Sequence, residues 1–221
     1  MARYAMAIDI KRCFGCQTCA VACKMANGMP KGVAYSKVLT VGGSFIDTAR
    51  GSYPDCSLEY LPFQCQHCEK PACMAACPTG ATQQRDDGIV SIDGELCIGC
   101  ASCIEACPYE GVRTLLEGAP DYYLDMVVGE ADAPAHRGGT VEKCTFCYNL
   151  VDRGEPPPAC SCVPAELAIG AIWTILNQVF RGLSQAANMT SCMKKRARAR
   201  KFTISDEAAV SRFFVLGITS L

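Results

Sequence analysis

The chain has almost no excess charge of either sign. Its 21 Lys and Arg face 22 Asp and Glu, a net charge of −1, so nothing supports the basic face by which proteins hold nucleic acid. Aromatic residues are scarce at 8%, which predicts that something other than a large apolar core fills the interior. Histidine is limited to His67 and His136. No signal-peptide pattern opens the chain: Met1-Ala2-Arg3-Tyr4 runs straight into a strand-like stretch. The apolar run over residues 163–180 is at the lower limit for spanning a bilayer. It is also broken by Pro164, Glu166, Asn177 and Gln178, so no transmembrane helix of its own is expected.

Cysteine, by contrast, is abundant. Of the 18 cysteines, sixteen fall into four groups. The first is Cys13-x2-Cys16-x2-Cys19-x3-Cys23. The second is Cys65-x2-Cys68-x4-Cys73-x3-Cys77-Pro78, and the third is Cys97-x2-Cys100-x2-Cys103-x3-Cys107-Pro108. The fourth opens as Cys144-x2-Cys147 and continues only as Cys160-x-Cys162. Three thiolates from one tight loop grip a 4Fe–4S cube, and the fourth cysteine of such a run ligates the other cube of a pair. Proline straight after that cysteine cannot continue a helix ladder and sends the chain out of the site. Gly15 and Gly99, each just before a ligand, permit the backbone angles that wrap a cube.

Disulfide scaffolds and zinc sites are the competing readings of cysteine-rich chains. A disulfide framework has no reason to repeat C-x2-C-x2-C-x3-C-P. Zinc sites pair two C-x2-C knuckles across a spacer, whereas here third and fourth cysteines follow each knuckle at once. The pattern therefore predicts a row of cubane clusters passing single electrons, built in a reducing compartment. Cys56 and Cys192 fit no group; Cys56 reads as a small buried residue.

The expected elements are short. A strand is expected over Tyr4–Asp9, a helix over 17–27, and strands over 38–48 (a possible hairpin at Gly42-Gly43) and 57–63. A short helix over 69–76 follows, then a hairpin over 81–93 turning at Asp86-Asp87-Gly88 and a strand over 111–116. Residues 118–140 read as a polar surface excursion. His67 reads as an ordinary loop histidine with a hydrogen bond to sulfur as the alternative, His136 as uninformative, and Lys24 as a charge one residue past a ligand.

These residues resemble a known family, the four-cluster iron–sulfur subunits of dimethyl sulfoxide reductase and related molybdopterin oxidoreductases. The resemblance is carried by Cys13-Phe-Gly-Cys16-Gln-Thr-Cys19-Ala-Val-Ala-Cys23-Lys24, Gln64-Cys65-Gln-His-Cys68-Glu-Lys-Pro-Ala-Cys73 and Cys77-Pro-Thr-Gly80-Ala81. Cys97-Ile-Gly-Cys100, Cys107-Pro-Tyr109 and Glu142-Lys143-Cys144-Thr-Phe-Cys147 complete it. It implies an α+β fold of two ferredoxin-like modules and four 4Fe–4S clusters in two pairs. Cys65, Cys68, Cys73 and Cys107 would hold one cluster, and Cys97, Cys100, Cys103 and Cys77 the next. Cys13, Cys16 and Cys19 would begin a third, and Cys144 and Cys147 a fourth that also uses Cys23. All of this is wiring, with no catalytic acid, base or nucleophile. The implied partners are a molybdopterin catalytic subunit and a membrane anchor subunit. The implied location is peripheral to the cytoplasmic membrane, on its outer face by export with the partner, with the cytoplasm as the alternative. A free polyferredoxin, or the equivalent subunit of a formate dehydrogenase or hydrogenase, is the competing function.

The resemblance covers residues 3–155 and then stops. Pro156-Pro-Pro-Ala-Cys160-Ser-Cys162 replaces the family's Pro-Ala-Cys-x3-Cys-Pro, and a basic run over 194–201 follows. Residues 156–221 read as a tail shifted by one base. Joining the third base of each codon to the first two of the next permits Pro-Ala-Cys-Val-x-x-Cys-Pro from the Pro156/Pro157 junction. Further on it permits Ala-Arg-Tyr-Trp-Gly-Asp from Glu166/Leu167, and Trp173 before Thr174 is forced to give Asp. On that reading Cys160 and Cys162 are accidents of frame, the central cluster pair is complete, and each outer cluster lacks a protein ligand.

Overall fold

The computed structural model describes residues 4–10, 13–42, 47–126 and 128–162, with the backbone of two short strands beyond. The elements are small because ligand loops interrupt the chain every few residues. Strand β1 (Tyr4–Asp9) leads into the first cysteine loop and helix α1 (Thr18–Ala26). Then come β2 (Ser36–Thr40), β3 (Arg50–Ser52), β4 (Asp55–Ser57) and β5 (Tyr60–Gln64). Helix α2 (Ala72–Ala75) is one turn long, starting only after Pro71; proline sits well at a helix start and badly inside one, which shortens the expected 69–76 helix. Strands β6 (Thr82–Gln84) and β7 (Val90–Ile92), helix α3 (Ser102–Glu105) and strands β8 (Arg113–Leu116) and β9 (Thr140–Lys143) follow. Helices α4 (Tyr148–Asp152) and α5 (Pro158–Ser161) close this part, before strands β10 (Thr174–Ile175) and β11 (Phe213–Leu216).

The strands pair as antiparallel ribbons: β2 with β5, β3 with β4, β6 with β7 and β8 with β9, while β1 lies between β10 and β11. The β6–β7 hairpin turns at Asp86-Asp87-Gly88 as its sequence predicts, with Asp87 Oδ1 accepting from the Ile89 amide. Three expectations need correction. Strand β2 ends at Thr40 and takes β5 as its partner rather than turning back at Gly42. The 118–140 excursion ends in a strand, since β9 returns to pair with β8 in the register Arg113↔Lys143 to Leu116↔Thr140. Cys56 is exposed on the β3–β4 ribbon, not buried, because that ribbon has no packed face.

The apolar core is divided into patches, and cysteines belong to most of them. Met6, Ile8, Val38, Ile89, Phe146 and Val151 surround Cys19. Cys23 sits with Met29, Val33, Tyr35 and Leu116, and Cys73 and Cys103 share a patch with Val90 and Val141. Ligand loops thus stand where other domains place large side chains. Among the described residues no helix is long and apolar enough to cross a membrane. The 163–180 run and the basic 194–201 run lie outside them, apart from the β10 backbone, as does Cys192.

Candidate metal centres

Two cavities hold eight of the cysteines. Cys65, Cys68 and Cys73 of the second group line one cavity with Cys107 of the third. Cys97, Cys100 and Cys103 of the third group line the other with Cys77 of the second. The crossing arises because Cys77 and Cys107 each lie just past a one-turn helix, α2 or α3, and so face away from their own loop. Four sulfurs around one cavity are the donor set of a cubane.

The outer cysteines converge differently. Asn27 Nδ2 lies 3.8 Å from Cys23 Sγ and 3.7 Å from Cys147 Sγ, and Cys144, Cys147 and Cys19 are neighbours of Cys23. Cys13 and Cys16 neighbour Cys19. Cys160 packs from α5 into the patch containing Cys13 and Cys19, with Cys147 and Cys19 as its charged neighbours. Pro158-Ala159-Cys160 repeats Pro71-Ala72-Cys73, and each proline opens a one-turn helix carrying the cysteine. Cys162 is exposed.

All four loops share one backbone feature. The residue just before the second cysteine is left-handed in each: Gly15 at φ 77°, His67 at 41°, Gly99 at 67° and Phe146 at 57°. Glycine does this freely, and at Gly99 a Cβ would also collide with the Gly139 carbonyl. His67 and Phe146 adopt it against their own sterics.

Burial pushes most of these thiols up, because a thiolate in an apolar site is poorly solvated. Burial lifts Cys19 to about 11. It lifts Cys68, Cys144 and Cys160 to about 12, each with neighbouring thiols adding to the effect. Cys77 and Cys100 go the other way. For Cys77 burial alone would raise it, but hydrogen bonds from Thr82 and Thr79 outweigh that and hold it at about 7. Hydrogen bonding from Ser102 lowers Cys100. Metals take thiolates, so loading these sites must expel protons.

Several functional neighbours escaped sequence reading. His67 is buried, accepts from the Val90 amide at 3.0 Å and meets Phe146 edge-on. His136 is anchored, with Nε2 2.8 Å from the Asn27 carbonyl and Nδ1 3.3 Å from Glu142. Glu142 also accepts from the buried Tyr35 hydroxyl. Lys24 spends its charge structurally, donating to the Pro30 and Val33 carbonyls at 3.0 Å each.

Two family models describing 4Fe–4S dicluster domains match the chain, over residues 56–118 and 89–164. A putative dimethyl sulfoxide reductase iron–sulfur subunit from Halobacterium salinarum is 41% identical over 175 residues, covering 76% of this chain and 66% of that protein. The chain belongs to the dimethyl sulfoxide reductase family of iron–sulfur subunits. A tetrathionate reductase subunit of Salmonella typhimurium is 37% identical over 172 residues, covering 77% of this chain and 58% of its own length. A thiosulfate reductase electron transfer subunit of Salmonella typhi is 31% identical over 203 residues, covering 88% and 93%. The chain thus spans less than two thirds of the first two relatives. As a member of this family it is a 4Fe–4S protein with ferredoxin-like dicluster domains, matching the expected cofactor.

Proposed function

We propose that the chain relays single electrons between a molybdopterin catalytic subunit and a second redox partner, a quinone-linked membrane subunit among them. Each 4Fe–4S cluster supplies one reversible electron at a potential set by charge, hydrogen bonding and exposure. The observation that carries this reading is the crossing of Cys77 and Cys107 between two adjacent four-thiol cavities. Cys65, Cys68, Cys73 and Cys107 hold one cluster, and Cys97, Cys100, Cys103 and Cys77 its neighbour. Cys144 and Cys147 with Cys23 form a third site, with Cys160 beside Cys147, and Cys13, Cys16 and Cys19 a fourth. Duplication of a two-cluster ferredoxin module accounts for the arrangement.

Exposure supports an order along the path. Phe14 and Ile98, just after the first cysteine of the first and third loops, are 51% and 66% exposed, and Cys16 and Cys100 face solvent. In the second and fourth loops Gln66, His67 and Phe146 are buried, and Cys144 has Cys65 as a charged neighbour. The path then runs third, second, fourth, first, with partners docking at its two exposed ends. Location beside a membrane, on the face to which the partner carries it, follows from this role.

Anaerobic reconstitution with iron and sulfide tests the proposal. A brown chain whose reduced form gives cubane signals in electron paramagnetic resonance is expected, and a colourless zinc-loaded chain would overturn it. Co-purification with a large molybdenum protein separates the subunit from a free polyferredoxin. The tail from Pro156 belongs to the proposal as a one-base frame change in the Pro156–Pro158 codons. The gene's nucleotide sequence tests that, since third bases incompatible with the family strings end the idea.

A further inference from the structure

Two cations face each other in the interior, and among the described residues no carboxylate stands among the leading charged neighbours of either. Arg113 on β8 and Lys143 on β9 are direct register partners, and they are 4% and 3% exposed. Like charges opposed across a ladder destabilise it, and a buried charge without a counter-charge is costly to desolvate. Glu142, the buried acid one residue from Lys143, is engaged with Tyr35 and His136. Arg113 Nη2 instead donates to Cys73 Sγ at 2.8 Å, while its Nε and Nη1 are buried with no partner among the described residues. Lys143 Nζ donates to the carbonyls of Val90 and Cys144. Its charged neighbours include Cys65, Cys73 and Cys144. Those of Arg113 are Cys73, Cys103, Cys65 and Cys107. Three of the four thiols of the second-group cavity therefore neighbour one or both cations.

An anion is what this geometry lacks, and a cubane with four thiolates is one, more so after reduction. Resting on the cluster assignment above, we propose that Arg113 and Lys143 are positioning residues that raise the reduction potential of the cluster held by Cys65, Cys68, Cys73 and Cys107. Each stabilises the added electron by its charge, and Arg113 also by its hydrogen bond to Cys73, two of the levers that set such potentials.

The test is a redox titration of the reconstituted full chain, followed by electron paramagnetic resonance, with the second-group signal identified by its loss in Cys68→Ser. Arg113→Gln is expected to lower that midpoint by more than it moves the midpoint of any other cluster the chain holds. Arg113→Lys, which keeps the charge and loses the fork, should lower it less, and Lys143→Met should lower it while Lys143→Arg restores it. Iron content and visible absorption confirm loading in each variant. If Arg113→Gln fails to load, the Arg113→Lys and Lys143→Arg midpoints still decide. Full iron with an unmoved midpoint, or an equal shift at every cluster, overturns the proposal. An unsubstituted chain without iron or cubane signal would instead sink the cluster assignment itself.

Discussion

His67 and Phe146 hold the same position in the second and fourth cysteine loops, and their rings meet edge-on, 5.4 Å between centroids and 83° apart in plane. Both residues are left-handed, where the first and third loops use glycine. The strain is tolerated because the contact joins the two inner loops and is buried, with Phe146 4% exposed. Truncating a buried Phe to Ala costs roughly 3–5 kcal/mol, but a left-handed backbone penalises Ala and spares Gly by about 1–2 kcal/mol. Phe146→Gly should therefore destabilise the loaded chain less than Phe146→Ala, the reverse of the usual order. Anaerobic denaturant titration of the two variants checks this; Ala the more stable would show that the backbone is relaxed.

Tyr35, in the patch against which Cys144 packs, makes a second prediction. Its hydroxyl donates to Glu142, whose carboxylate also takes His136 at 3.3 Å. Burial drives the Tyr35 hydroxyl pKa up, with the Glu142 charge adding to it, so the proton stays on Tyr35. Tyr35→Phe removes the donor and leaves a buried carboxylate under-satisfied, at a cost of about 1–3 kcal/mol. The same variant paired with Glu142→Gln should lose less than the sum of the two singles, because the partners share one interaction. A double-mutant cycle on denaturation midpoints reads this directly.

Legibility in the sequence followed the range of the interaction. The cysteine loops, the strand before the first loop and the Asp86-Asp87-Gly88 hairpin are set by neighbours in the chain, and their residue types announce them. The two central thiol sets were named from the family resemblance, and the same cysteines line the two cavities. Strand β9 was not legible, because Thr140–Lys143 is too short and too charged to announce itself and gains its identity from β8. His136 was missed for a similar reason: its partners Asn27 and Glu142 are 109 and 6 residues away, and nothing around it is periodic. The left-handed bend at His67 and Phe146 had a signal that alignment of the four loops on Gly15 and Gly99 would have given. The place of Cys160 was obscured by reading it as an accident of frame, which set aside the local likeness of Pro158-Ala159-Cys160 to Pro71-Ala72-Cys73.

Removal of metal should expose a reactivity order. In the metal-free chain Cys77, held at about 7 by hydrogen bonds from Thr82 and Thr79, is largely thiolate just above neutrality. Cys68 and Cys144, at about 12, stay protonated and shielded. Thiolate is the nucleophile, so brief iodoacetamide treatment at pH 7.5 should label Cys77 well before either of them. Lowering the pH by two units should suppress the Cys77 label by roughly an order of magnitude or more, as the thiol regains its proton. Peptide mass spectrometry gives the order, and Thr79→Val with the label unchanged would show that the hydroxyl is not a source of the low pKa.

Cys160 and Cys162 separate the outer sites from the accidents of the tail. Cys160 is half-buried on α5 beside Cys147 and Cys19, and its thiol is pushed up to about 12 by burial with those neighbours adding. Cys162, two residues on, is exposed. A cube bound through Cys23, Cys144, Cys147 and Cys160 has four thiolates, the number such a cluster takes. Cys160→Ser should then lower iron by about one cube per chain, since a serine hydroxyl does not supply the soft thiolate that Fe–S clusters select, while Cys162→Ser should leave iron unchanged. Iron and acid-labile sulfide analysis of the reconstituted variants measures both. Equal iron in the Cys160→Ser and unsubstituted chains would mean that the outer sites close without α5, and that its cysteine reaches the cavity without serving it.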